Sequence, residues 1–153
     1  MKITDFLTVN AILPNIANNE KNAVLAEMAS CFASCYPELD EGQVLQVLTD
    51  RERISSTAIG EGVAIPHGKL ANAQRIFGVF CRSLQGVDFA SLDGEPTYLF
   101  FVLIAPEGAA ADHLKALARI SRLLKDESFR ARLLASESSN ELFAIIAAED
   151  DKF

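Results

Sequence analysis

Two histidines hold most of the chemical potential of this 153-residue chain. His67 sits in Ile65-Pro66-His67-Gly68-Lys69. The proline keeps Ile65 extended, which places the ring just past a strand end. Gly68 removes a side chain beside it and lets another backbone approach closely. A neutral imidazole, with an ordinary pKa of about 6.5, can act as a nucleophile near neutral pH. Upstream, Gly60 and Gly62 can turn backbone N–H groups toward an anion, and Lys69 adds positive charge. The plainer reading is a loop histidine bonded to the backbone. His113 is predicted in the first turn of a helix starting near Asp112. The positive helix end there disfavours imidazolium, and free N–H groups suit a phosphoryl oxygen. A polar residue at a helix start is the plainer alternative.

Arg51, in Arg51-Glu52-Arg53, falls at a predicted helix end. It can hold a phosphoryl group with paired donors or simply answer the negative helix terminus. Lys115, Arg119 and Arg122 recur at helical spacing and form a basic stripe beside His113, either a solvated face or a protein-docking surface. Glu149-Asp150-Asp151 reads as a frayed acidic tail. Other chemistries find little support. No His-x-x-x-His, paired cysteines or carboxylates stand at metal-ligand spacing. No Gly-x-Ser-x-Gly occurs, and Gly60-Glu61-Gly62 is not followed by the Gly-Lys-Ser/Thr of a nucleotide-binding loop.

The elements that must position these residues follow from periodicity. Asn18 or Asn19 can cap a helix with Val24, Leu25, Met28, Phe32 and Cys35 at helical spacing, ended by Pro37. Asp40 can cap a second helix with Val44, Leu45 and Leu48 on one face, fraying near Arg51 to Ser55. Ala11-Ile12-Leu13 before Pro14 suits an edge strand. Ser55 to Gly62 looks like a loop, followed by Val63-Ala64-Ile65. Ile76 to Cys81 and Tyr98 to Ile104 are continuous apolar runs. Such runs mark strands covered on both faces, so helices should lie above and below the sheet. Further on, Leu114, Leu117, Ala118, Ser121 and Leu124 form one helical face, and Phe129, Leu133 and Leu134 mark a shorter helix. Ser138 with Glu141 makes a capping-box pattern before Leu142, Ile145 and Ile146. The order helix, helix, strands, helices suggests α/β or α+β layers and not a regular βαβ repeat, as a single domain over residues 1–153.

Composition narrows the function classes. Fourteen Lys and Arg against 21 Asp and Glu leave a formal charge of −7. That field repels a nucleic-acid backbone, and any phosphate chemistry would need a local cluster of donors. The longest apolar run, Tyr98 to Ala105, falls far short of the ~20 residues of a membrane-spanning helix. Met1-Lys2-Ile3-Thr4-Asp5 lacks the apolar core of a secretion signal. Cys31 and Cys35 share a helix face, and with Cys81 make an odd count, which suits core residues in a reducing compartment. No nucleic acid and no membrane insertion are expected, and the cytoplasm is the expected location.

The stretch Ser56-Thr57-Ala58-Ile59-Gly60-Glu61-Gly62-Val63-Ala64-Ile65-Pro66-His67-Gly68-Lys69 resembles the signature of the fructose/mannitol-type IIA domains of the bacterial phosphoenolpyruvate:sugar phosphotransferase system. The likeness covers nearly the whole chain. Arg51-Glu52 precedes the Ser-Thr pair. Gly86-Val87-Asp88-Phe89, Leu92-Asp93-Gly94, the strand Tyr98 to Ala105 and His113-Leu114 follow in the family's order. Ile65 to Leu70, on a free-standing chain, looks most like the nitrogen-regulatory branch. One departure is Ser55 and Ala58, where the family places glycine before the Ser-Thr pair and often after it.

The resemblance implies a mixed β-sheet between layers of α-helices. It implies that His67 receives a phosphoryl group on Nε2 from an HPr-like phosphocarrier protein (NPr), that His113 supports that group, and that Arg51 and the Thr57 hydroxyl lie near it. It implies regulation of target proteins such as potassium-transport or sensor-kinase components, with no cofactor and no metal. Three alternatives stay open: a IIA component of a sugar system passing phosphate to a separate IIB, a phosphorylation-independent interaction module, and a metal-dependent hydrolase using both histidines.

Overall fold

Two strands whose side chains are buried on both faces organise the molecule. A computed structural model describes residues 1–152. Strand β5 (Phe77–Val87) and strand β6 (Thr97–Pro106) pair antiparallel, with Phe77 opposite Ile104 and Arg82 opposite Leu99. Residues 77–83 and 99–105 are buried without interruption. Period-2 side chains can all be buried only when both faces are covered. Four shorter strands complete the sheet: β1 (Ile12–Leu13), β2 (Ala58–Gly60), β3 (Val63–Ala64) and β4 (His67–Leu70). The order is β1-β5-β6-β3-β2, with β4 also on β6. Strands β3 and β4 both lie parallel to β6, β3 along Leu99–Phe100 and β4 along Leu103–Pro106. Ile65 and Pro66 bridge them, because proline has no N–H to give to a ladder.

Five helices flank this sheet: α1 (Lys21–Cys35), α2 (Glu41–Ile54), α3 (Ala110–Leu124), α4 (Glu127–Ala135) and α5 (Ser139–Asp150). The α1–α2 pair packs on β5 and β4, while α3 and α4 pack on β6 and α5 on β1. The expected α/β sandwich is the fold found. The buried core joins these layers through phenylalanines, including Phe32, Phe77, Phe80, Phe89, Phe100, Phe101 and Phe129. Arg82, almost wholly buried, spans them too: its guanidinium donates to the carbonyls of Pro14, Leu133 and Ser136.

Several local expectations are corrected. Glu20, not Asn18 or Asn19, caps α1, its carboxylate accepting from the N–H groups of Asn22 and Ala23. The Asn18 amide is instead spent on Glu27. Helix α2 ends at Ile54, within the expected Arg51–Ser55 stretch, and Arg51 Nη1 donates to the Ser55 carbonyl at 3.0 Å across its last turn. Residues 58–60, read as loop, form strand β2, because the turn at Gly60-Glu61-Gly62 folds them back onto β3. His67 follows the end of β3, as expected, but it also opens a further strand, β4, not expected from the sequence. Ser138 caps α5 through the Glu141 N–H, but the Glu141 carboxylate turns to Ser136 and Glu137, so only half the capping box forms.

Two larger corrections concern α3 and the acidic end. The buried face of α3 is His113, Ala116, Ile120, Leu123 and Leu124, and Leu114 is 67% exposed. Small and β-branched residues meet the sheet here, while Leu114 and Leu117 border a cavity. The Glu149-Asp150 pair is buried, not frayed. Asp150 Oδ1 binds Arg119 Nε at 2.5 Å and Oδ2 accepts the Ile3 N–H at 2.7 Å, clamping both chain ends to α3. Arg119 is thereby turned into the fold and is no part of a solvated stripe. The hydrogen bond from Arg132, with help from Lys152, holds the Glu149 carboxyl below its usual range. Breaking one partner of such a buried pair typically costs about 3–5 kcal/mol. Asp150→Ala is therefore expected to lower the urea midpoint markedly, and the exposed neighbour change Asp151→Ala to leave it near wild type. Equal midpoints for the two variants would dismiss the clamp.

Candidate functional site

Helix α2, strand β4 and the start of α3 converge on one cavity of about 500 Å³. Helix α2 supplies Val47, Asp50, Arg51 and Ile54, β4 supplies His67, Gly68 and Lys69, and α3 supplies Ala110, His113, Leu114 and Leu117. The approach of α2 to β4 depends on Gly68. A Cβ there would lie 2.7 Å from Val47 Cγ2 and 3.2 Å from the Val47 carbonyl carbon. Arg51 stands one helical turn beyond Val47, so the same close contact brings it to the cavity that His67 and His113 line. Gly68→Ala is expected to force α2 away, at about 1–3 kcal/mol for an overpacked contact. Thermal melting measures this directly, and an unchanged melting temperature would show that α2 yields freely.

The two rings meet edge to face, with centroids 5.3 Å apart and planes at 82°. His67 Nδ1 lies 2.8 Å from the Ile65 carbonyl. A carbonyl can only accept, so Nδ1 carries the proton and Nε2 keeps its lone pair. Burial lowers the pKa of His67, with further lowering from Arg51 and Lys69 and opposition from the Ile65 bond and Glu52. His113 is 3% exposed. Burial, then the nearby His67 and Lys69, pushes its pKa down to about 4. Both shifts favour the neutral ring. His113 Nε2 is buried and has no hydrogen-bond partner among the described residues. A buried polar atom without a partner costs about 1–3 kcal/mol, so its persistence beside a cavity calls for a ligand-side explanation.

Of the residues singled out in the sequence, the structure brings His67, His113 and Arg51 to this cavity. Lys69 joins them, and Arg51 and Lys69 form a local positive pair within an acidic chain. Thr57 does not line the cavity. It is buried, and its hydroxyl and N–H both donate to the Glu52 carboxylate. The Gly60-Glu61-Gly62 turn also points elsewhere: the Glu61 N–H meets the Asp93 carboxylate, so the anion it serves belongs to the chain itself. Sequence reasoning missed the role of Glu52, which is 7% exposed and ion-paired to Lys21 at 2.9 Å. A signal existed: Glu52 continues the buried Val44–Leu48 row of α2 at i+4 spacing. The exposed apolar rim, Ile54 at 79% and Leu114 at 67%, also escaped notice.

Elsewhere, no group of three His, Cys, Asp or Glu among the described residues could hold a metal ion. Cys31 and Cys35 are free thiols on α1, and burial beside Cys35 raises the Cys31 pKa to about 12. Among the described residues no helix is long and apolar enough to cross a membrane.

Similarity to known proteins gives the class to which this doubly covered mixed sheet belongs. The profile of the phosphoenolpyruvate-dependent sugar phosphotransferase system, EIIA 2, matches residues 5–149. A nitrogen regulatory protein of Bradyrhizobium diazoefficiens is 47% identical over 96% of this chain and 95% of its own length. The fructose-specific EIIABC component of Bacillus subtilis is 43% identical over 98% of this chain, which spans 24% of that longer protein. Among solved structures, the nitrogen regulatory protein IIA-Ntr of Neisseria meningitidis superposes with a TM-score of 0.88 at 31% identity, covering 94% of this chain and 98% of its own. The chain belongs to the EIIA type 2 family of the phosphotransferase system. Its similarity to nitrogen regulatory proteins extends over nearly its whole length.

Proposed function

We propose that this protein is a phosphohistidine carrier and regulator of the nitrogen-related phosphotransferase system, in which His67 Nε2 accepts a phosphoryl group from an HPr-like phosphocarrier (NPr). The observation that carries this reading is the orphaned Nε2 of buried His113 against a ring whose own Nε2 lone pair is left free. The His67 lone pair forms the new P–N bond. The donor's bond to phosphorus breaks, and its electron pair stays on the donor. Nδ1–H remains on the Ile65 carbonyl, which spreads positive charge through the ring. Phosphoryl transfer asks mainly for in-line positioning and stabilised equatorial oxygens. Arg51, Lys69 and the His113 N–H would supply that stabilisation, a role supported by their sharing one cavity with His67. Thr57 acts from behind the cavity and not as a direct phosphate ligand.

The exposed rim of Ile54 and Leu114 suits a protein donor, since a small donor needs no apolar collar. Phosphorylation adds about −1.5 to −2 charges inside that rim, enough to change which partner docks there. In this reading the protein is a single IIA domain of the cytoplasm, and targets of potassium-transport or sensor-kinase type read its phosphorylation state. The fructose-specific relative at 43% identity favours a second reading, a IIA that passes phosphate to a separate IIB. Loss of label to a IIB protein would support it; retention of label in its presence supports the regulator. The first reading is tested by phosphoryl uptake from the HPr-like donor with His67→Ala as control.

A further inference from the structure

Behind His67 a continuous polar chain runs from the ring back to Lys21 on α1. Lys21 Nζ contacts Glu52 Oε1 at 2.9 Å. The Glu52 carboxylate takes both donors of Thr57, its N–H at 3.2 Å and its hydroxyl. The Thr57 carbonyl accepts the Ile65 N–H at 3.1 Å. The Ile65 carbonyl is the group that holds His67 Nδ1. Lys21 is itself seated over the Phe89 ring at 4.7 Å, and the Phe89 carbonyl accepts from Ser56, the residue before Thr57. Both sides of the 56–57 segment are therefore pinned to the core.

We infer that Glu52, braced by Lys21, is the positioning residue that holds the 57–65 backbone and so sets the tautomer and aim of His67. The consequence for transfer rests on the phosphoacceptor reading above, whereas the tautomer does not. The physical case is that Ile65-Pro66 forms the gap between β3 and β4, where Pro66 supplies no N–H to anchor it. The segment is held on one side by the Ile65 N–H on the Thr57 carbonyl and on the other by the Leu103 N–H on the Pro66 carbonyl, so the Thr57 bond is one of the two that aim the Ile65 carbonyl. A buried carboxylate on α2 is costly to keep. Here it is fully employed: Lys21 neutralises it from α1, and both Thr57 donors tie it to the segment that orients the ring. Partners of this kind fix which ring nitrogen carries the proton, as they do for metal-bound histidines.

The test uses the full chain and two readouts: long-range ¹⁵N–¹H NMR of the His67 ring, and the rate of phosphoryl uptake from the HPr-like donor. Glu52→Ala is expected to mix in the Nε2–H tautomer and to slow uptake by about tenfold or more, the usual range for a lost orienting partner. Glu52→Gln can still accept from the Thr57 N–H and donate to its hydroxyl, so it is expected to restore the ring signature and most of the rate. A Glu52→Ala protein that is less stable but keeps the wild-type ring signature and rate overturns the inference. If Glu52→Ala does not fold, Thr57→Val compared with Thr57→Ser carries the same test, and identical ring signatures in that pair overturn it. Wild-type protein that takes up no phosphoryl group overturns the phosphoacceptor reading instead. The ring signature, which needs no donor, still decides this one.

Discussion

Incubation with phosphoenolpyruvate, Mg²⁺, enzyme I and an HPr-like carrier is expected to add one acid-labile phosphoryl group to the wild-type protein and none to His67→Ala. The expectation follows from the proton count on the two rings. His67 commits Nδ1 to the Ile65 carbonyl, which leaves its Nε2 as a lone pair at the cavity. Burial lowers the His67 pKa, which favours the unprotonated lone pair. His113, also neutral, sits on the buried side and is poorly placed to meet an incoming protein. Intact-mass analysis reads the adduct, and acid treatment separates a phosphoramidate from a phosphate ester. A His67→Ala protein that takes up phosphate as the wild type does would remove His67 from the acceptor role.

His113→Ala is expected to keep the adduct on His67 but to slow its formation by about 10²-fold, the typical cost of losing one preorganised donor at a developing charge. His113→Gln retains an N–H and is expected to lose less. Wild-type rates in His113→Ala would sink the assignment. The same residue makes a stability prediction. Its pKa is about 4 in the folded protein against 6.5 for the free group. As pH falls below 6.5 the unfolded chain binds a proton that the fold refuses, so stability drops through the window down to about 4 and no further from this group. The two values imply a loss of roughly 3 kcal/mol by the end of that window. His67, lowered in the same direction, adds to it. Urea unfolding measured between about pH 7 and pH 4 should show this acid limb, flattened in His113→Gln; parallel limbs in the two proteins would contradict it.

Local patterns decided much of what could be read in the sequence. The doubly apolar runs became β5 and β6 because an unbroken buried strand has only one environment that suits it. Asp40 caps α2 as expected, since its carboxylate needs only the Gln43 N–H three residues on. The residues that failed were those with two options of similar local merit. Glu20 and Asn18 could each cap α1, and the choice fell to Glu20 because Glu27 claims Asn18. Helix α3 has two apolar stripes, and only the shape of the sheet and the cavity decides which is buried.

By itself, then, the sequence determined the fold class, the contiguous His67 motif, and the presence of Arg51 and His113 as residues of the right chemistry. These are properties of residue type and short-range spacing, where sterics and hydrogen-bond reach leave few choices. Only the tertiary structure decided who meets whom. It set the two histidine rings 5.3 Å apart, turned Thr57 away from the cavity onto Glu52, and gave the Gly60–Gly62 turn to Asp93. It also drew Asp150 out of an apparent tail into a buried clamp with Arg119 and Ile3. The physical reason is common to all four. A charged or polar side chain far along the chain can be read as solvated until packing excludes water, and its partner is then whichever complementary group the sheet and helices have carried to the same place.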